Sequence, residues 1–437
     1  MTAAASRALC DFLDASPTAF HAADSIAAAL RASGAVRLDE RAAWKLEAGK
    51  TYYVDRNGSS VIAFRPGTAL PEDSGFAIAG AHTDAPALRV RPEKALRARR
   101  SERIAVEIYG GPIVSTWLDR PLSLAGRVAV RGKDGRAEAR LVNLARPVAV
   151  VPNLAIHLNR EVNKGFEYNA QNHLPALCAW PAEEAADQER APWALQAVAA
   201  ELGVDPAEVL GTELFLVDAQ RAIAFGPDAE LVNSGRADDL AGCHAILQAF
   251  RLAEAKPHAQ VAVFFDNEEV GSATLQGADG VYLRDLLERI SGALGSGGEG
   301  FKRAIARSFS VSVDAAQGWH PSYADKYDET YGPTLNAGPA VKANANFRYA
   351  TDALSEAAFR SLCAEAGVPC QKFQVRADQT PGSTIGPISS KLTGIRTVDV
   401  GAPLLAMHSI RETIGARDHE WMIAALRKLF DRGPELY

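Results

Sequence analysis

Five short segments of the sequence hold the carboxylates and imidazoles that could bind a metal ion. They are His82-Thr83-Asp84, Asp238-Asp239, Asp266-Asn267-Glu268-Glu269, Asp314 and His408. A histidine with an aspartate two residues later pairs a ligand with a carboxylate that can orient its second ring nitrogen. Nitrogen and oxygen ligands without cysteine suit zinc, cobalt or manganese in a catalytic site. Together the segments predict a metal-dependent hydrolase with enough ligands for two ions.

Each segment taken alone also has a purely structural explanation. Two aspartates at a helix start can act as a cap and as acidic first-turn residues, and a lone histidine is more often a core residue than a ligand. The run from Asp266 to Glu269 is the strongest signal, because three carboxylates within four residues raise one another's pKa. A divalent cation removes that repulsion. One glutamate can then bind metal while its neighbour serves as general base.

Most of these segments follow apolar stretches that read as strands, over 76–80, 260–265 and 308–313. From residue 238 onward the strands alternate with helical patterns, such as 240–255 and 281–294. Such alternation predicts a parallel or mixed α/β sheet. Side chains at the carboxyl ends of its strands meet at one edge, where α/β proteins place their sites.

The remaining chain indicates two domains. Helical patterns over 8–13 and 22–30 flank a break at Ser16-Pro17, and Asn57-Gly58 predicts a hairpin turn between strands 51–54 and 60–64. Short alternating strands follow from 104 to 151, and 182–202 reads as a helix. We therefore expect an α/β domain over 1–91 and 229–437, interrupted by a β-rich domain over 92–228.

Composition narrows the functional class. The 437 residues are 47% hydrophobic and 23% charged, which is typical of a globular protein. The net charge of -6 argues against a dedicated nucleic-acid binder. Five scattered cysteines without a CxxC pair indicate free thiols in a reducing compartment. No apolar run reaches about 18 residues, so we expect no membrane span and a cytoplasmic location.

The motifs and their order resemble the aspartyl aminopeptidases, the M18 family of metallopeptidases, over nearly the whole chain. The resemblance rests on the blocks 80–84, 109–111 with 115–120, 152–160, 266–272, 381–387 and 406–412. It implies an α/β fold, in which a mixed-sheet, binuclear-zinc catalytic domain carries an inserted β-rich dimerisation and lid domain.

The resemblance also implies a role for each residue of the metal site. Two divalent ions are expected in each subunit, with zinc first and cobalt or manganese as alternatives. Asp238 would bridge both ions, His82 and Asp314 would complete one, and Glu269 and His408 the other. Glu268 would be the general base that takes a proton from the attacking water, and Asp84 would orient His82. The family often has Asn at the position of Asp239.

For the substrate, the resemblance implies that Lys342 pairs with the acidic side chain of the first residue and that Tyr349 makes a second contact. His157 would reach the active site of a neighbouring subunit within a homododecamer. Structurally, Lys342 could instead be a surface lysine, Tyr349 a core residue, and His157 a strand residue facing its own domain.

The predicted function is removal of N-terminal Asp or Glu from peptides. One alternative is a two-metal aminopeptidase that prefers neutral residues. Another is a binding protein that uses the arginine-rich stretch 91–103 as an anionic contact surface. Neither nucleic acid nor membrane is expected as a partner.

Overall fold

The computed structural model describes residues 3–181 and 190–436. These residues form two compact units: the first contains 3–84, 222–407 and 412–436, and the second 85–181, 190–221 and 408–411. No helix in the described ranges is both long and apolar enough to cross a membrane.

The strands of the described residues are numbered in chain order. They are β1 (Val36–Arg37), β2 (Tyr52–Arg56), β3 (Ser60–Arg65), β4 (Phe76–His82), β5 (Ala87–Ala98), β6 (Ser101–Tyr109), β7 (Leu122–Arg131), β8 (Ala137–Asn143), β9 (Ala176–Ala179), β10 (Val209–Asp218), β11 (Ile223–Phe225), β12 (Leu231–Ser234), β13 (Ala259–Phe265), β14 (Phe309–Val313), β15 (Ala316–Gln317), β16 (Ala340–Lys342), β17 (Gln371–Phe373), β18 (Arg396–Gly401), β19 (Pro403–Leu405) and β20 (Glu412–Gly415).

The α-helices of the same residues are numbered likewise. They are α1 (Ala3–Ala15), α2 (Ala19–Ala32), α3 (Pro71–Ser74), α4 (Ala170–His173), α5 (Trp193–Leu202), α6 (Ala237–Leu252), α7 (Tyr282–Ala293), α8 (Gly298–Ala306), α9 (Ala353–Glu365), α10 (Ile385–Thr393) and α11 (Ala416–Arg432).

The first unit is built on a nine-stranded mixed sheet of order β1-β2-β3-β13-β4-β14-β18-β16-β17. Its central strands β13, β4, β14 and β18 are parallel, and β3 and β16 flank them in antiparallel pairing. Ala77 and Ala79 enter one hydrophobic core, whereas Phe76 and Ile78 enter another. Because both faces are covered, every residue of β4 is buried. The predicted mixed α/β fold is confirmed.

A second sheet of the same unit has the order β11-β12-β20-β19-β15. Its strand β20 pairs antiparallel with β12, with Glu412 opposite Ser234. The side chain of Glu412 is buried next to the start of α6, because its carboxylate accepts the backbone N–H of Asp238.

The second unit is a six-stranded antiparallel sheet of order β8-β7-β10-β5-β6-β9. The predicted domain limit at residue 92 falls inside β5, and the limit at 228 falls between β11 and β12. Part of the arginine-rich stretch binds its own chain, since Arg97 donates to the Arg190 carbonyl at 2.8 Å and Arg100 to the Pro181 carbonyl at 2.9 Å.

Local patterns located most elements correctly. The two N-terminal helices and the β2–β3 hairpin form as predicted. The helix expected over 182–202 is observed only from Trp193, after Pro192. Residues 182–189 of that prediction lie outside the described ranges.

Candidate metal centre

The predicted ligands of the nine-stranded sheet stand at the carboxyl ends of three adjacent parallel strands. His82 is the last residue of β4, Asp266 follows β13, and Asp314 follows β14. Within the sheet, His82 pairs in register with Phe265, the residue before Asp266. This arrangement explains why segments far apart in the sequence meet at one edge.

His82 is buried and its two ring nitrogens have different surroundings. Nδ1 lies 3.1 Å from the backbone oxygen of Asp84, and because a carbonyl can only accept, Nδ1 must carry the proton. Nε2 then faces Asp238 Oδ1 at 3.6 Å and Asp314 Oδ2 at 3.9 Å. Two ligands of one tetrahedral zinc are about 3.3 Å apart, so these spacings suit a shared ion.

The carboxylate of Asp84 holds the turn that carries the two glutamates. Its Oδ1 accepts the backbone N–H of Glu268 at 3.0 Å, and Oδ2 accepts that of Glu269 at 3.2 Å. Asp84 Oδ1 also lies 3.4 Å from His82 Nδ1. One buried carboxylate therefore fixes both the imidazole and the start of the short 3₁₀ helix Glu268–Val270.

The adjacent glutamates face different donor groups. Glu268 joins His82 and Asp314, with one ligand atom from each within 4.8 Å of the others. Glu269 instead lies within the same distance of Asp238. The described residues of the first unit thus supply nitrogen and oxygen donors for two cations side by side, which matches the donor chemistry of a catalytic zinc site.

The electrostatics of this cluster favour bound cations. Burial, together with the negative charges of Asp314 and Asp84, raises the pKa of Glu268 to about 8. Burial likewise raises the pKa of Asp266 to about 7 and holds the pKa of Glu269 well above its ordinary value. Most of the repelling charge comes from Asp84, Asp238 and Asp314 rather than from within the run 266–269, and a divalent cation would relieve it.

Two acidic residues adjoin the site without an assigned role in the sequence analysis. Asp239, joined to Asp238 by a cis peptide bond, is buried, and its Oδ2 accepts the backbone N–H of His82 at 3.4 Å. Glu412 Oε2 accepts the backbone N–H of Asp238 at 3.0 Å. Gly242 leaves room for Asp239, since a Cβ there would lie 2.3 Å from its Oδ1. In the sequence, Asp239 could have been noticed because it follows Asp238, and Glu412 because it ends the block 406–412.

Lys342 and Tyr349 lie next to Asp314. Lys342 is 3% exposed, and its ammonium donates to Asp314 Oδ1 at 2.7 Å, Asp314 O at 3.2 Å and Ala315 O at 3.0 Å. Burial opposes the charged form, but the Asp314 charge prevails and raises the pKa of Lys342. The ammonium also lies 5.0 Å from the centre of the Tyr349 ring. Lys342 is therefore not a surface lysine.

The two remaining predicted site residues belong to the second unit. His408 Nδ1 lies 3.0 Å from the carbonyl oxygen of Gly111, and because a carbonyl can only accept, Nδ1 is the donor of this bond. His157 lies in an exposed turn rather than in a strand. Its neighbours Leu154, Ile156 and Leu158 are exposed by 56%, 46% and 76%.

A family model described as aminopeptidase I zinc metalloprotease (M18) matches residues 12–430. The chain is also 47% identical over 428 residues to a probable M18 family aminopeptidase 2 of Ectopseudomonas mendocina, with 98% of each sequence covered. This chain belongs to the M18 family. It is therefore a metal-dependent aminopeptidase, and the donor groups described above suit the zinc ions of this family.

Solved structures share this M18 fold. The chain in the cryo-EM structure of the Ape4 and Nbr1 complex has a TM-score of 0.94 and 37% identity, covering 98% of this chain and 85% of that one. The dodecamer of mApe1 from S. cerevisiae gives a TM-score of 0.85 and 27% identity, covering 97% of this chain and 96% of that one.

Proposed function

We propose that this M18 aminopeptidase removes N-terminal Asp or Glu from peptides in the cytoplasm. The observation that carries the proposal is the buried ammonium of Lys342, which lies 2.7 Å from Asp314. A cation beside a catalytic metal ligand can form a charge-assisted hydrogen bond with a substrate carboxylate. A neutral side chain at the same place would gain no such bond.

In this proposal Asp238 bridges two ions, His82 and Asp314 complete one, and Glu269 and His408 complete the other. When bound, two divalent ions polarise the scissile carbonyl and lower the pKa of water. The tautomer of each histidine supports its role, because the backbone oxygens of Asp84 and Gly111 hold the proton on Nδ1. Nε2 is then the coordinating nitrogen in both.

Glu268 is the general base in this proposal. It would accept a proton from the attacking water and pass it to the leaving amine. One observation supports this division of labour: Glu268 and Glu269 face different donor groups. Asp84 is the positioning residue, since it holds both glutamates by their backbone amides.

We also propose that the second unit mediates self-association into a homododecamer, like that named for S. cerevisiae mApe1. The turn around His157 exposes three large aliphatic side chains, and such apolar patches mark interaction surfaces. His157 would then enter a neighbouring subunit's site, where it would contact the substrate together with Lys342 and Tyr349.

A neutral-residue preference is the second candidate, and one observation favours it. An ammonium has three N–H donors, and Lys342 places all three on acceptors of its own chain. In that arrangement Lys342 orients Asp314, and it has no donor left for a substrate carboxylate.

The test is hydrolysis of matched Asp, Glu and Leu amides by the purified protein, with and without a chelator. Chelator-sensitive turnover that favours Asp and Glu is expected. Turnover that favours Leu would contradict the acidic preference and support the neutral-residue preference, without contradicting the metal-dependent mechanism. The absence of turnover after zinc, cobalt or manganese is restored would contradict the assigned metal ligands and base.

A further inference from the structure

A buried carboxylate on β18 joins two loops of the first unit. Asp399 is fully buried, and both of its carboxylate oxygens accept hydrogen bonds. Oδ2 accepts the backbone N–H of Ala350 at 2.6 Å, and Oδ1 accepts the hydroxyl of Thr384 at 2.7 Å. The backbone N–H of Asp399 donates to the Thr351 hydroxyl oxygen at 2.9 Å. These three hydrogen bonds, the Asp399 clamp, hold both loops against the same strand.

The bond from Thr384 replaces a helix cap. Thr384 is the N-cap residue of α10, a position where a threonine oxygen usually accepts a backbone N–H of the first helical turn. Among the described residues it accepts no such bond, and its hydroxyl donates to Asp399 instead. Gly386 leaves room for this contact, since a Cβ there would lie 2.3 Å from both carboxylate oxygens. The block 381–387, which has no role in the proposed mechanism, is thus shaped around Asp399.

The other loop carries Tyr349, one of the proposed substrate contacts. The residue after it is Ala350, whose N–H donates to the carboxylate. The residue before it is Arg348, whose carbonyl accepts the hydroxyl of Ser383 at 3.2 Å. The backbone is therefore held on both sides of Tyr349, once by the clamp and once by the block 381–387.

The second proposed substrate contact, Lys342, stands opposite Asp399. The two residues pair in register between the antiparallel strands β16 and β18, so their side chains leave the sheet on the same face. The Lys342 ammonium lies 5.0 Å from the centre of the Tyr349 ring. Asp399 thus binds the backbone that carries one proposed contact and lies beside the strand that carries the other.

We propose that Asp399 is a positioning residue of the substrate pocket, which fastens the loop 348–351 to the block 381–387 and so holds Tyr349 beside Lys342. A buried carboxylate is costly unless its oxygens are hydrogen-bonded, and here the bonds go to these two loops. With a weakened clamp, Tyr349 would be in place in only a fraction of the molecules. The apparent substrate affinity falls by that fraction, whereas the chemistry after binding is unchanged. The inference rests on the proposed function in taking Tyr349 and Lys342 as substrate contacts.

The test compares Thr384→Val with Thr384→Ser in the full-length protein at saturating zinc, with Asp and Leu amides as substrates. Valine nearly keeps the shape of threonine but lacks the hydroxyl, whereas serine keeps the hydroxyl. For Thr384→Val we expect KM for the Asp amide to rise about 2- to 13-fold, the range for loss of one net hydrogen bond. Its kcat and bound zinc should stay at the wild-type values. Thr384→Ser should retain the wild-type KM.

Thr397→Val is the matched control for loss of a buried threonine hydroxyl. Thr397 lies on the same strand as Asp399, and its hydroxyl donates to the Ile395 carbonyl at 3.1 Å, which belongs to neither loop. This variant should keep the wild-type KM, and melting temperatures of the valine variants separate a loss of stability from a loss of affinity. Thr351→Val removes the acceptor of the Asp399 N–H and should also raise KM. It tests the clamp independently if Thr384→Val does not fold.

The inference and the proposed function fail in different measurements. A wild-type preference for the Leu amide would contradict the acidic preference, and the KM values of the variants would then be compared with the Leu amide. The inference is overturned if Thr384→Val and Thr351→Val both keep the wild-type KM, or if Thr397→Val raises KM equally. It is also overturned if Thr384→Ser raises KM as much as Thr384→Val, or if the valine variants lose kcat and bound zinc instead of affinity.

Discussion

Replacement of Lys342 by methionine tests the substrate pocket most directly, because it removes the charge and nearly keeps the volume. If Lys342 binds the substrate carboxylate, the variant loses one charge-assisted hydrogen bond for acidic substrates only. Such a bond contributes about 1.5–3 kcal/mol. At about 1.4 kcal/mol per factor of ten, kcat/KM for Asp amides should fall roughly 10- to 150-fold, while kcat/KM for Leu amides changes little.

The contacts of Lys342 also predict a competing result, in which the substitution acts through Asp314 and the bound metal. Lys342 neutralises Asp314 and binds the carbonyls of Asp314 and Ala315. Without its partner, Asp314 would be a buried carboxylate lacking a counter-charge, and loss of one member of a buried ion pair costs about 3–5 kcal/mol. Because Asp314 is a proposed ligand, metal affinity would also fall, by about 10–100-fold for a lost orienting contact.

The assay must therefore separate selectivity from metal loss. Steady-state kinetics with Asp and Leu amides are compared at saturating zinc, and bound metal is measured in the same samples. Lys391→Met is the matched control, since Lys391 lies on the surface with 67% of its side chain exposed. Equal losses of kcat/KM for both amides would refute the assignment of Lys342 as the acidic-residue contact and would leave it as a support of Asp314.

Three further predictions concern the base, the metal and a buried histidine pair. Glu268→Gln should lower kcat about 10²–10⁴-fold without loss of bound zinc, whereas Glu269→Gln should lower the amount of bound zinc. Zinc loss in both variants would contradict the assignment of Glu268 as base and Glu269 as metal ligand. Because the folded-state pKa of Glu268 is raised to about 8, its contribution to stability is present at low pH and is lost as the pH rises through 8. Chelated protein should therefore melt at a lower temperature at about pH 9 than at about pH 6, and added zinc should restore the melting temperature. If the chelated protein melts at the same temperature at both pH values, the pKa of this carboxylate is not raised. His244 Nδ1 lies 2.8 Å from His419 Nε2, and burial lowers the pKa of His244 to about 4. Its contribution is therefore present above pH 6.5 and is lost as the pH falls through 4, about 3 kcal/mol in all. His244→Gln should flatten this acid loss of unfolding free energy, measured by denaturant titration, while the exposed His173→Gln should not.

Sequence reasoning selected the donor residues that the structure brings together as candidate ion-binding groups, because strand ends and acidic residues are local features. A buried strand followed by Asp266 to Glu269 can be recognised without any partner, and so can β4 ending in His82. The α/β class follows from the same local alternation of helices and strands, and the whole-chain match to the M18 family agrees with it.

Other relationships depended on strand order, which no local pattern specifies. The order β13-β4-β14 sets His82 between the ends of its two neighbours, so that Nε2 faces Asp314 across a long sequence separation. The antiparallel strand β16 then brings Lys342 onto Asp314, and this contact rules out the alternative that Lys342 is a surface lysine.

The sequence by itself therefore determined which residue types are available for metal binding and proton transfer, and the fold class that carries them. The tertiary structure alone decided which atoms meet. It placed Glu268 and Glu269 toward different donor groups, and it surrounded the Lys342 ammonium with three oxygen acceptors of its own chain. The physical reason is that burial, hydrogen bonding and pKa shifts depend on neighbours distant in the chain, whereas periodicity and motifs report only nearby residues.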